Sequence, residues 1–265
     1  MPRFGVYATL TRWGDKQYSS VTNVGVKPTV GSDQVLAERQ ADAQADPASL
    51  TKLMTAWLVF DALKAKKLTL EQALPVSLRA WSERKGGGSL MFIDTTMTPR
   101  VDDLLKGMIV QSGNDASVVL AEGVGGSLPV FVEMMNRQAK ALGMNATSYR
   151  NPEGLTVAGH ITTARDLATL AQRLMRDFPE YVPYYAIQHY RYPGTPAAND
   201  SNRNLLLFRD PTVDGLKTGH TAAAGYCLVA TSKREFPGVG QRRLLSIVLG
   251  AASENARANE SQKLL

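Results

Sequence analysis

Asp46-Pro47-Ala48-Ser49-Leu50-Thr51-Lys52-Leu53-Met54-Thr55 is the stretch on which the reading of this chain turns. Ala45, Asp46, Pro47 and Ala48 supply helix-start signals. The run that follows, with Leu53, Met54, Trp57, Leu58, Val59 and Phe60, is apolar nearly all round, so a buried helix is expected to about Leu63. Ser49 and Lys52 then share one helical face. A serine hydroxyl is a weak nucleophile until a base takes its proton, and a lysine is a base only when neutral near pH 7. Burial, here expected against Trp57, and a nearby cation such as Lys217 both favour that neutral form. Alone, a Ser-x-x-Lys spacing is common on ordinary solvated helices.

Two further short motifs follow in order. Ser112-Gly113-Asn114 falls at the join of two helical segments, where glycine lets the chain turn and both polar side chains face one way. A hydroxyl there can pass a proton and an amide can hold a substrate amide. Lys217-Thr218-Gly219 precedes the strand-forming Tyr226 to Thr231 and suits an edge strand. There Lys and Thr can bond a carboxylate while Gly admits substrate to the backbone. Each motif is weak by itself, but S-x-x-K, Ser-x-Asn and K-T-G in this order are the motif set of β-lactamases and penicillin-binding proteins.

The stretches Asp46 to Thr55, Gly88-Ser89-Leu90-Met91, Ile109 to Ala116 and Val213 to Thr221 resemble the D-alanyl-D-alanine carboxypeptidases among the low-molecular-mass penicillin-binding proteins, over about residues 33–265. The resemblance implies an α+β fold: a β-lactamase/transpeptidase-like, five-stranded, mainly antiparallel sheet flanked by helices, with a helical subdomain beside the cleft. It implies Ser49 as nucleophile, Lys52 as its base, Ser112 as proton relay toward the leaving D-alanine, and Asn114 as holder of the substrate backbone. Lys217 and Thr218 would bind the terminal carboxylate, with Gly219 beside them and Arg203, in Ser201-Asn202-Arg203-Asn204, near the cleft. The backbone N–H groups of Ser49 and His220 would form the oxyanion hole. The implied substrates are peptidoglycan stem peptides ending in D-Ala-D-Ala, in the periplasm or cell envelope. β-Lactam antibiotics are expected as covalent inhibitors, and no cofactor is expected.

Composition narrows the alternatives. At 265 residues and 44% hydrophobic, the chain can bury a substantial core. Cys227 is the one cysteine, expected in a buried strand, and His160, His189 and His220 lack the spacing of paired helix ligands, so no metal site is expected. A net charge of +6 suits an anionic partner, but the cations are scattered without interleaved aromatics, and no nucleic-acid partner is expected. No apolar run of membrane-spanning length occurs, nor an apolar segment before an N-terminal cleavage site.

Helices are expected over Val101 to Val110, Asp115 to Glu122, Leu128 to Leu142 with Gly143 as stop, and Thr163 to Arg176. Strands are expected over Gln34 to Glu38, Tyr226 to Thr231 and Leu244 to Leu249, and Gly86-Gly87-Gly88 reads as a flexible loop. Ser253 caps a terminal helix that runs to Leu265 without a stop signal. The β-rich second domain and amphipathic membrane anchor common in the resembled family are therefore not expected here.

Residues 1–32 read differently, as an atypical N-terminal segment. They suggest a short hairpin around Gly14-Asp15, and Gly5-Val6-Tyr7-Ala8 and Val24 to Val30 resemble a fragment of a bacterial riboflavin kinase, too short to bind flavin or ATP. Whether the β-prone Val21 to Val30 fills the first sheet position is open. Rival readings are a class A-like β-lactamase, a catalytically impaired penicillin-binding protein and, more distantly, a flavokinase-derived binder. The Ser-Gly-Asn motif and the lack of a Glu-x-x-Leu-Asn segment speak against the first.

Overall fold

The computed structural model describes residues 11–13, 16–18 and 35–265 apart from Val239. Strands β1 (Thr11–Trp13) and β2 (Lys16–Tyr18) form an antiparallel ladder with Trp13 opposite Lys16, on either side of Gly14-Asp15, whereas the hairpin strands expected over residues 5–10 and 18–22 lie, Tyr18 apart, outside the described residues. The riboflavin-kinase-like residues and Val21 to Val30 otherwise lie outside the described residues.

A 3₁₀ turn over Ala48–Thr51 runs directly into α1 (Lys52–Lys64). Asp46 starts it, its Oδ1 accepting from the Ala48 amide at 2.8 Å. As the all-round apolar sequence requires, α1 is buried from Lys52 through Phe60 and again at Ala62 and Leu63. Around it stand α3 (Val101–Val110), α4 (Asn114–Gly125), α5 (Leu128–Ala141) and α6 (Ala164–Asp177), with the short α2 (Leu78–Trp81) against α4. Thr163 caps α6 by accepting from the Asp166 amide at 3.1 Å, and Gly143, at φ +81°, ends α5 as expected.

After α7 (Leu206–Arg209) come β3 (Val213–Thr221), β4 (Gly225–Phe236) and β5 (Gly240–Ala251), then α8 (Glu254–Leu264), capped by Ser253. The sheet is antiparallel in the order β3-β4-β5, with Lys217 opposite Val229 and Val229 opposite Ile247. Side chains alternate across it. Cys227 and Val229 join the main core under α1 and α6, whereas Leu228 and Ala230 meet Ala258 and Leu265 on the α8 side. Burial on both faces explains why β4 reads as a continuous apolar run.

One expectation is corrected. Residues 35–38 form no strand, only an isolated bridge at Glu38; Val35 and Leu36 are exposed, so no buried face holds them in a ladder. Among the described residues the main sheet has three strands, part of the five that the resemblance implied. K-T-G lies on β3, at the edge of these three, as the sequence suggested.

Candidate active site

The site forms where the 3₁₀ turn, the α3–α4 junction, the 150–154 loop and β3 converge. Its backbone is unusual in two places. Ala48, just before Ser49, has φ +46°, and Ser112 has φ +63°, a left-handed conformation more often given to glycine at a helix end. Non-glycine residues held this way cost about 1 kcal/mol or more and cluster where a side chain must be aimed. Gly154, at φ +92°, lies so close behind Ser49 that a Cβ would sit 1.9 Å from the Ala48 carbonyl oxygen and 2.9 Å from the Ser49 nitrogen. On the strand side a Cβ on Gly219 would come within 3.1 Å of the Ala48 Cβ, so glycine there lets β3 press against the 3₁₀ turn.

Lys52 Nζ is the centre of the first cluster. It lies 2.9 Å from Ser49 Oγ, 2.8 Å from Asn114 Oδ1 and 2.6 Å from the Glu153 carbonyl oxygen. The last two atoms can only accept. A neutral amine has two N–H bonds and one lone pair, so it gives its hydrogens to those two acceptors and turns its lone pair toward Ser49 Oγ. Lys52 is almost wholly enclosed, and burial brings it down to about 7, although Glu153, Glu83 and Asp115 pull the other way. Half of the lysine is then neutral near pH 7, as a general base requires. The cause is enclosure of α1 as a whole; the Trp57 ring itself packs edge-on against Phe178, with centroids 5.1 Å apart.

Lys217 Nζ is the centre of the second. It donates to Ser112 Oγ at 2.9 Å and to the Thr218 carbonyl at 3.0 Å. Burial holds its ammonium far below the usual lysine range, and the charges of Lys52, Arg257 and Arg203 depress it further. Arg203 is thus brought to Lys217's surroundings, and its carbonyl accepts from Arg257 Nη2 at 3.2 Å. Thr218 and Gly219 are buried beside the turn, while the exposed His220 ring stacks on Tyr226 at 4.0 Å.

Several supporting residues were given no role in the sequence reading. Asp115 accepts from the amides of Met91, Phe92, Ile93 and Ala116 at 2.8 to 3.2 Å, which straps Met91–Ile93 to the start of α4. The Ser89 carbonyl accepts from the Asn114 amide at 2.8 Å, and a Cβ on Gly88 would meet Asn114 Nδ2 at 2.4 Å. The third glycine of Gly86-Gly87-Gly88 is therefore a close-approach position rather than mere loop. Arg257, on α8, is buried and donates to the Gly219 carbonyl at 3.2 Å as well as to that of Arg203, which ties both to one helix. His160 Nδ1 accepts from the Arg150 amide at 3.1 Å; its proton is therefore on Nε2, 2.8 Å from Thr51 Oγ1. Cys227 is a buried strand residue, as expected. Among the described residues no group of His, Cys, Asp and Glu is arranged to hold a metal.

Residues 26–253 match the family profile of D-alanyl-D-alanine carboxypeptidase, a match that begins inside the segment set apart on sequence. The D-alanyl-D-alanine carboxypeptidase DacC of Escherichia coli (strain K12) is 44% identical over 238 residues, 88% of this chain and 58% of that protein. The chain thus spans less than two thirds of the length of that relative. Penicillin binding protein 5 from Haemophilus influenzae superposes with a TM-score of 0.83 at 34% identity, over 98% of this chain and 70% of that one. Penicillin-binding protein D2 from Listeria monocytogenes in its ampicillin-bound form gives 0.77 at 32% identity, over 93% and 95%. With S-x-x-K, Ser-x-Asn and K-T-G converging on one pair of buried lysines, this chain belongs to the D-alanyl-D-alanine carboxypeptidase family.

Proposed function

We propose that the chain is a serine D-alanyl-D-alanine carboxypeptidase that acts through an acyl-enzyme on peptidoglycan stem peptides in the periplasm or cell envelope. The observation that carries this reading is Lys52 Nζ, buried, depressed to about 7 and 2.9 Å from Ser49 Oγ with its other acceptors already occupied. Ser49 Oγ attacks the carbonyl between the two D-alanines and gives its proton to Lys52. The N–H groups of Ser49 and His220 hold the resulting oxyanion. The C–N bond then breaks, and the departing D-alanine amine receives a proton by way of Ser112, which Lys217 holds in place. Water hydrolyses the ester with Lys52 again as base. Lys217, Thr218 and Arg203 receive the terminal carboxylate, beside Gly219, and Asn114 holds the substrate backbone.

A depressed Lys217 suits this role: an arriving carboxylate restores the ammonium and makes a charge-assisted bond that the empty site lacks. A β-lactam carries a carboxylate and a strained amide in the same relation and would acylate Ser49. The ampicillin-bound relative supports that part of the reading. We take residues 33–265 as the catalytic unit; one buried cluster gathers residues from Ala41 to Leu249.

The test is intact mass after incubation with a penicillin, beside Ser49→Ala, together with release of D-alanine from a peptide ending in D-Ala-D-Ala. One adduct lost in the variant, with D-alanine released by the wild type, is expected. No adduct on a folded wild-type chain would sink the reading. An adduct without D-alanine release would leave a penicillin-binding protein that is not a carboxypeptidase, and rapid turnover of penicillin would point to the β-lactamase alternative.

A further inference from the structure

Close enough to Lys52 for their charge to act on it lies a pair of carboxyl groups that the reaction scheme does not use. Glu83 and Glu153 are 4% and 2% exposed, far more enclosed than carboxylates usually are. Arg79 spans them, bonding Glu83 Oε1 and approaching Glu153 Oε1 at 3.5 Å, but it is half-exposed and cannot neutralise both. The second oxygen of each carboxyl, Oε2, is buried with no hydrogen-bond partner. Two buried acids that share one exposed cation cannot both stay ionised cheaply, so one of them takes up a proton. Glu153 is the one whose own backbone carbonyl accepts from Lys52 Nζ, at 2.6 Å.

We propose that Glu153 is a positioning residue for Lys52: its carbonyl fixes the nitrogen beside Ser49, while its carboxyl, paired with Glu83 under Arg79, shares a proton with Lys52 and so sets the pH at which Lys52 becomes free to act as base. This rests on the carboxypeptidase reading of the site. The charged groups around Lys52 are Glu153 from the 150–154 loop, Glu83 from the turn after α2, Asp115 from α4 and Lys217 from β3, with Arg79 behind the two glutamates. Asp115 is committed to four backbone amides, and Lys217 is itself a depressed cation. Glu153 is the neighbour free to change charge in the working range: burial and the nearby Glu83 push it up to about 7, where Lys52 also titrates. Moving one proton from Lys52 to Glu153 leaves a neutral amine and a neutral acid.

The test is the rate of penicillin acylation across about pH 5–9 for wild type, Glu153→Gln and, as a surface control on α5, Glu133→Gln. Because two groups share the proton, the wild-type acid limb is expected to be shallower than a one-proton curve. Glu153→Gln keeps the carbonyl but removes the charge that favours the ammonium. Its limb should steepen to one proton and move down by about one pH unit, a several-fold gain at about pH 6 relative to its own plateau. An unmoved limb in a folded, acylating Glu153→Gln overturns the inference alone, as does an equal shift in the control. No adduct on the wild type removes the carboxypeptidase reading and this inference with it. If Glu153→Gln does not fold, carbon-13 spectra of the wild type with carboxyl-labelled glutamate decide. One glutamate titrating with the acid limb supports the assignment, and all of them titrating in the ordinary carboxylate range overturn it.

Discussion

Two lysines, Lys52 and Lys217, are equally buried and stand in one cleft, yet their surroundings are opposite. Lys52 faces Glu153, Glu83 and Asp115, which restrain the effect of burial and leave it near 7. Lys217 faces Lys52, Arg257 and Arg203, which add to burial and carry it well below its ordinary range. Burial alone makes a lysine neutral; the sign of the neighbouring charge decides what that lysine is for. In an anionic setting it is poised to exchange protons near neutrality. In a cationic one it awaits an anion.

The largest test of this contrast is substitution at both positions. An arginine cannot give up its proton, so Lys52→Arg is expected to lower acylation by about 10³-fold. Lys217→Gln is expected to lower kcat/KM for the D-Ala-D-Ala peptide by about 10- to 100-fold, mainly through KM, because it removes an ion pair to the carboxylate. Comparable losses in kcat at both positions would erase the division of labour.

Next comes the backbone on each side. Gly154→Ala should cost about 2–4 kcal/mol, read by denaturant unfolding, since its Cβ would collide with the main chain that carries Ser49 and its φ is left-handed. Gly219→Ala meets its nearest atoms at 3.1 Å and should cost less. Equal costs would mean that the two walls are equally rigid.

Arg257→Met should cost about 1–3 kcal/mol, because the Gly219 and Arg203 carbonyls lose their donor. It also removes a cation from beside Lys217, so the pH at which substrate KM begins to rise should move upward. A KM profile unchanged by Arg257→Met would show that the cationic neighbours do not set the state of Lys217.

Smallest at neutral pH is His160→Gln, behind Thr51. Burial lowers His160 to about 4, against 6.5 unperturbed, so between these values the unfolded chain binds a proton that the folded chain refuses. Stability is therefore whole above pH 6.5 and falls by up to about 3 kcal/mol as pH drops toward 4. The variant should lose that slope in thermal unfolding while acylating at neutral pH nearly as wild type does.

The helices and the three motifs were legible because they are local. α1 is apolar all round, α6 carries a capping Thr163, and a lysine three residues after a serine is within reach on any helix. The strand expected at 34–38 is absent over 35–37 because a short apolar run, Val35-Leu36-Ala37, does not make a ladder without a buried face to hold it. Glu153, Glu83 and Arg257 were illegible for a different reason. Each lies in an unremarkable turn or helix; Glu153 and Arg257 take their meaning from partners 101 and 38 residues away, and Glu83 from Glu153 through the Arg79 they share.

The sequence by itself singled out the groups that the fold gathers in one cleft: Ser49, Lys52, Ser112, Asn114 and the Lys217-Thr218-Gly219 strand, together with the buried helix that follows Ser49. Their residue types and spacings are read within a turn or two of chain. Only the tertiary structure decided the charge state in which they stand. Protonation follows from burial and from the sign of nearby charge, and both are properties of what the fold packs around a residue rather than of its neighbours in sequence.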